Sequence, residues 1–213
     1  MFRKITHKIW KLSFYLITLV GLYSLWSRLY RWLYHSDYKD IPIDWKLTPE
    51  QADEKCQTLT WTKDGPRELL DAIGSPQWVQ HCINSVKATG SQPEGSLDCD
   101  EFAVWCASSL GARFCPLILS ISYMKKDSLK PSGHNVCVYL DKKVNSIFHI
   151  GNWGIVGPYS SLEMVVRDVC YTSDSDLIGW ALYDYSLKNL HFSIQYPSKI
   201  KFYDLMEIYY SVY

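Results

Sequence analysis

The chain of 213 residues is long enough for one domain of ordinary size plus an appendage, and its 47% hydrophobic content supplies a core without disulfide staples. Twenty-two Lys and Arg balance twenty-two Asp and Glu, which excludes the broad positive field that nucleic-acid binding requires. Sixteen Tyr and nine Trp point instead to amphipathic surface at a membrane face or along a ligand cleft.

The first 34 residues differ in kind from the rest. A basic start (Arg3, Lys4, Lys8, Lys11) leads into sixteen uncharged residues, Leu12 to Ser27, and then Arg28 and Arg31. Sixteen is short of the ~20 residues that cross a bilayer core, but Trp10, Trp26, Tyr30 and Trp32 suit the interfaces, and the flanking Lys and Arg can snorkel. Residues 1–34 therefore read as a single membrane anchor helix. A cleaved signal peptide fits less well, because Leu25-Trp26-Ser27-Arg28 is a poor cleavage site, and an in-plane helix would carry charges through its middle. The basic excess before the span places the N-terminus inside and the domain on the non-cytoplasmic side. Residues 35–47, polar and broken by Pro42, read as a linker, and 48–213 as the globular domain.

Within that domain, Thr48-Pro49-Glu50-Gln51 is a capping box with proline at the first helical position, and it predicts a helix to about Thr58. Gly65-Pro66 opens a helical piece to Ile73. Ser75-Pro76 starts a longer helix to about Lys87, with Trp78, Val79, Cys82, Ile83 and Val86 on one face. Residues 88–97, rich in Gly, Ser and Pro, form a loop, after which Cys99, Phe102, Ala103, Cys106, Ala107 and Leu110 recur at helical spacing. Beyond Gly111 the period shortens: Cys115 to Tyr123 is a strand and Lys125 to Gly133 a polar loop. Asn135 to Leu140 and Asn145 to Ile150 then form a hairpin around Asp141-Lys142-Lys143. Ser160-Ser161-Leu162-Glu163 is a second capping box opening a helix to about Cys170. Leu177 to Tyr185 and Asn189 to Tyr196 are strands, and 199–213 alternates too irregularly to assign. Helices first and then mostly antiparallel strands define an α+β domain.

Cys99 falls on the first turn of its helix, where unpaired N–H groups and the macrodipole stabilise a thiolate. Most cysteines in a core are inert packing, but Asp98, Asp100 and Glu101 mark an exposed helix start. Those carboxylates disfavour a thiolate, so a basic partner is required. His134, behind Gly133 at the entry of the hairpin, is the candidate. The seven cysteines (56, 82, 99, 106, 115, 137, 170) form no CxxC pair and no metal-type Cys/His spacing, so no zinc site is expected, and the odd count leaves at least one thiol unpaired.

Leu97-Asp98-Cys99-Asp100-Glu101-Phe102-Ala103, followed by Ser132-Gly133-His134-Asn135-Val136-Cys137-Val138, resembles the core of the transglutaminase-like cysteine peptidase superfamily, over about residues 60 to 155. The Ser75-Pro76-Gln77-Trp78-Val79 helix is similar too. The resemblance implies a papain-like fold with Cys99 as nucleophile, His134 as base, and an aspartate at the end of the next strand orienting the histidine. This chain departs from that pattern at the third position. Asp141, seven residues along an extended strand, lies ~23 Å from His134 and cannot reach the ring. Asn152 is chosen instead, since an amide oxygen can accept from the imidazole N–H. The choice depends on hairpin parity. A loop with an odd number of residues sets Asn152 opposite His134, and an even-numbered one gives that face to Gly151 and His149. An oxyanion hole would use the Cys99 N–H plus a side-chain donor, with Gln92 or Gln80 as candidates, and Trp153 could wall the cleft. Some relatives bind calcium, but the three carboxylates at the helix start are more often dipole complement, so no metal and no cofactor is expected.

Two expectations follow. The first is a membrane-anchored thiol enzyme, a cysteine peptidase or amidase with acyl transfer as a variant, that acts on amide bonds of a protein or peptide substrate through an acyl-enzyme. The second is a binding module of the same fold, lacking the chemistry, presented to a partner protein at the membrane. The position of His134 relative to Cys99 discriminates: the enzyme needs the two within hydrogen-bond reach, and a His134 turned away favours the module.

Overall fold

The structure, a computed structural model, describes residues 2–62, 72–95 and 97–213. Two N-terminal helices, α1 (Phe2–Leu19) and α2 (Leu22–Tyr34), precede α3 (Pro49–Cys56), α4 (Pro76–Thr89) and α5 (Cys99–Ser109). Then follow strands β1 (Leu117–Lys125), β2 (Pro131–Asp141), β3 (Ser146–Gly151) and β4 (Gly154–Tyr159), helix α6 (Leu162–Thr172), strands β5 (Ser175–Tyr183) and β6 (Asn189–Ser193), and helix α7 (Phe202–Tyr210). The strands form one six-stranded sheet in the order β4-β3-β2-β1-β5-β6, with every neighbouring pair antiparallel. The fold is α+β.

The sheet is covered on both faces. On one, α3, α4 and α5 pack Ala52, Val79, Phe102, Trp105 and Cys106 against Ile118, Cys137, Tyr139 and Ile150. On the other, α6 and α7 pack Val165, Val166, Val169 and Leu205 against Leu119, Ile121, Val136, Val138 and Ile147. Because strand side chains alternate, even-numbered residues of β2 face α6 and odd-numbered ones face α5.

Capping chemistry explains where the helices begin. Thr48 closes the expected capping box on α3 with Gln51, and the Ser75 hydroxyl accepts from Trp78 N–H at the start of α4. Asp98 caps α5, accepting from Asp100 N–H, while Glu101 reaches back to Asp98 N–H. The capping box expected on α6 is not made: Ser161 is the N-cap and its side chain makes no cap bond.

Several boundaries differ from the sequence reading. The helical piece expected over 65–73 lies almost wholly outside the described residues. The loop before the hairpin is short, since β2 already begins at Pro131. The edge strand β4 and the terminal α7 were not expected. Gly-Pro at 157–158 interrupts any strand pattern in β4, and α7 carries aromatic residues all round, with Tyr209 buried beside exposed Tyr210.

The N-terminal segment is not one helix. α1 ends where Gly21 adopts φ 70°, a left-handed conformation that glycine takes without a Cβ clash, and α2 leaves at a bend of 63°. Among the described residues no single helix is long and apolar enough to cross a membrane, although the bent pair passes that test together. Both helices lie on the domain. Phe14 packs over Gly179 of β5, and Ser27 and His35 are buried where α2 runs past the segment before α4.

Candidate functional site around Cys99

Helix α5 delivers Cys99 as its first residue, partly exposed, while Asp100 and Glu101 turn inward and are buried. Burial of two carboxylates requires partners, and each has them. Glu101 accepts from Gly74 N–H and Asp98 N–H, both at 3.1 Å. Asp100 accepts from the Cys99 thiol at 3.4 Å and from the Asn135 amide. The Asn135 nitrogen also lies 3.4 Å from the Tyr23 hydroxyl, so a polar chain runs from α2 through β2 to the cysteine. A thiol that donates to a carboxylate is making the bond of its neutral form.

His134 is elsewhere. It pairs with Ile121 across β1, and both belong to the face that packs against α6. Its ring stacks on Trp153 with centroids 4.8 Å apart and planes 13° apart, and its Nε2 is buried without a hydrogen-bond partner among the described residues. Burial, with a smaller contribution from the nearby His149, pushes its pKa down to about 4, so the ring is neutral at pH 7. Cys99 and His134 are thus held on opposite faces of the sheet, and the Cys-His contact expected from the resemblance is not made in this arrangement.

The hairpin register decides the third residue. Asp141 pairs with Ser146 and Cys137 with Ile150, leaving a four-residue, even-numbered loop with Asn145 at φ 53°. Continued outward, this register sets Trp153 opposite His134 and Asn152 opposite Asn135. Gly151 fills the space beside His134: a Cβ there would lie 3.7 Å from Nε2. Asn152 therefore does not stand opposite His134, and its buried Oδ1 has no partner among the described residues. Asp141 caps its own turn by accepting from Lys143 N–H.

His149 shares the α6 face with His134. Its ring stacks on Tyr159, with Nε2 3.5 Å from the Tyr159 hydroxyl, which donates to Asp168 at 2.6 Å. Burial pushes its pKa down to about 4 against the opposing pull of Asp168. A groove of about 560 Å³ beside this cluster is lined by Tyr159, Arg167, Asp168, Tyr171, Asp174 and Tyr196.

The two oxyanion candidates are committed elsewhere. Gln80 accepts from Trp105 Nε1 and Asp44 N–H, and Gln92 pins Thr60 through both of its amide atoms. Trp153 is exposed at the β3–β4 turn and covers His134, not Cys99. One oxygen or sulfur atom each of Asp98, Cys99 and Asp100 lies within 4.8 Å of the other two. Asp98 is already engaged as the helix cap, and the Asp100 carboxylate by the Cys99 thiol and the Asn135 amide.

Asn135 and Tyr23 were not singled out in the sequence. Parity could have found Asn135, because the alternation that buries Cys137 toward α5 carries Asn135 with it. No pattern in the sequence links Tyr23 to β2. Comparison with family models gives no match, and comparison with curated proteins gives none either, so the resemblance rests on the residues around Cys99 and His134.

Proposed function

We propose that this chain is a membrane-associated α+β module that binds a protein or peptide partner and performs no Cys-His chemistry in the arrangement described. The observation that carries this reading is the projection of His134 and Cys99 to opposite faces of the sheet. A thiolate nucleophile needs a cationic or basic neighbour, whereas the Cys99 thiol donates to the Asp100 carboxylate. Exposed aromatic side chains support a binding role: Trp153 at the β3–β4 turn and Tyr171 beside the α6 groove both offer large, stiff contact surfaces.

A second reading, the membrane-anchored cysteine peptidase or amidase with Cys99 as nucleophile, His134 as base and Asn152 orienting it, is favoured by two observations. Cys99 occupies the first turn of α5 and is partly exposed, and His134 Nε2 is buried without a partner among the described residues. That reading requires β2 to shift by one residue, which exchanges the two faces and carries His134 to where Asn135 stands.

Site-resolved alkylation by iodoacetamide at pH 7, followed by mass spectrometry, separates the two. If the module reading holds, His134→Ala leaves the Cys99 labelling rate within about twofold of wild type. A drop of tenfold or more, with the folded fraction unchanged, selects the thiol enzyme.

A further inference from the structure

The N-terminal helices are amphipathic the wrong way round for a soluble domain. Phe14 and Tyr23 pack on the core, and the other contacts turned toward the domain include many polar ones. Arg3 bonds Asp176, His7 Nε2 lies 2.9 Å from the Leu177 carbonyl, and Ser24 donates to the Leu187 carbonyl. Ser27 accepts from Ile73 N–H at 3.1 Å, and Arg31 Nε donates to the Gly74 carbonyl at 2.8 Å. Leu12, Leu16, Leu19, Leu25, Leu29 and Trp32 are left outward, each at least 42% exposed. Burying such a stripe in lipid is favourable, and no described element of the chain covers it.

Charge identifies the occupant. Residues 1–36 hold six Lys and Arg and no Asp or Glu, in a chain whose total charge is zero. Lys4 and Lys8 are exposed on α1 and Arg28 on α2, alongside the apolar stripe. An apolar face edged by cations and by Trp and Tyr matches the interface of an anionic bilayer, where the face enters the headgroup and acyl boundary and the cations meet lipid phosphates. The charges that an in-plane helix needs are present. They stand at the two ends, and the middle of the segment satisfies its polar groups on the domain.

We infer that α1 and α2 lie in the plane of one leaflet as a docking platform for anionic phospholipid, with the chain on either side of them remaining on the same side of the membrane. This rests on the membrane association proposed above and replaces a span with an in-plane seat. Through Tyr23 and Asn135, the platform connects by hydrogen-bond distances to Asp100 beside Cys99.

The test uses the full chain carrying an N-terminal and a C-terminal epitope tag, reconstituted with sealed vesicles of phosphatidylcholine alone or with a third phosphatidylserine. The expected result is association at least tenfold stronger with the anionic vesicles, with both tags digested together by external protease. Leu16→Glu combined with Leu25→Glu should weaken association about tenfold or more while the circular dichroism spectrum is unchanged. Tags protected on opposite sides would overturn the in-plane seat and leave membrane association standing as a span. Failure to associate with either vesicle, including self-association in its place, would overturn both.

Discussion

His134 and Asn135, adjacent in β2, point to opposite faces of the sheet: the imidazole stacks on Trp153, while the amide donates to Asp100 beside the Cys99 thiol. Whichever residue stands at 135, and not at 134, is therefore the one that faces Cys99 from β2.

It follows that Asn135→His should introduce an imidazole beside Asp100 and Cys99. The expected outcome is faster iodoacetamide labelling of Cys99 at pH 7, by roughly threefold or more, because a nearby base or cation favours the thiolate. Asp100→Asn should act in the same direction by removing the carboxylate that the thiol bonds. The buried thiols provide an internal reference. Burial raises Cys82 to about 12 and Cys170 to about 11, and holds Cys137 well above the ordinary thiol range, so these label slowly in every variant. An Asn135→His rate equal to wild type would show that position 135 does not face Cys99.

Much of the fold was legible because local signals agreed with each other. The α3 capping box, the Ser75-Pro76 start and the helical spacing from Cys99 each lie where the structure has a helix. The hairpin was legible as an element but not in register. Asp141-Lys142-Lys143 suggests a turn, yet whether the loop holds three or four residues depends on Asn145 adopting a left-handed conformation, which sequence does not announce. One residue in that loop changes which side chain of the returning strand stands opposite His134, so the site was less legible than the strands that bear it. The N-terminal segment is two helices where one was expected, for another reason: composition reports apolar length, while the break at Gly21 and the docking of His7, Ser24 and Ser27 are tertiary.

Acid should destabilise the domain through its buried histidines. His35, His134 and His149 are each pushed down to about 4, chiefly by burial, against about 6.5 in the unfolded chain. Between pH 6.5 and 4 the unfolded state binds more protons than the folded one, so stability is full above pH 6.5 and falls as pH drops toward 4. Each ring contributes at most about 3 kcal/mol across that window. Urea denaturation at pH 7 and pH 5 measures the loss, and His149→Phe should reduce it by about a third, since three similar rings share it. An undiminished loss in that variant would show that His149 is charged in the folded state.

Glu101 ties α5 to the segment before α4 by accepting from Gly74 N–H and Asp98 N–H while 2% exposed. Glu101→Ala leaves both donors without their acceptor and should cost about 2–4 kcal/mol in chemical denaturation. Glu101→Gln keeps one acceptor oxygen and should cost roughly half as much. Equal losses in the two variants would mean that side-chain volume matters here and the acceptor oxygens do not.

Seating of α1 on the sheet depends on Gly179, whose missing side chain leaves room for Phe14. A Cβ at this position would fall well inside contact with the Phe14 ring, with the ring tip 3.0 Å away. The ring is wedged between the helix and β5, so Gly179→Ala should force it outward, cost about 1–3 kcal/mol and lift α1 from the sheet. Lifting frees the α1 backbone around Lys8 and Lys11 to unwind into the trypsin cleft, and the cleavage rate at these two sites is the measurement. Phe14→Ala removes the obstacle, so the double variant Gly179→Ala, Phe14→Ala should cleave more slowly than Gly179→Ala alone, a coupling that only direct contact produces. If Gly179→Ala changes neither the cleavage rate nor the denaturation midpoint, α1 is not seated on β5, and the outward direction of its apolar stripe loses its basis.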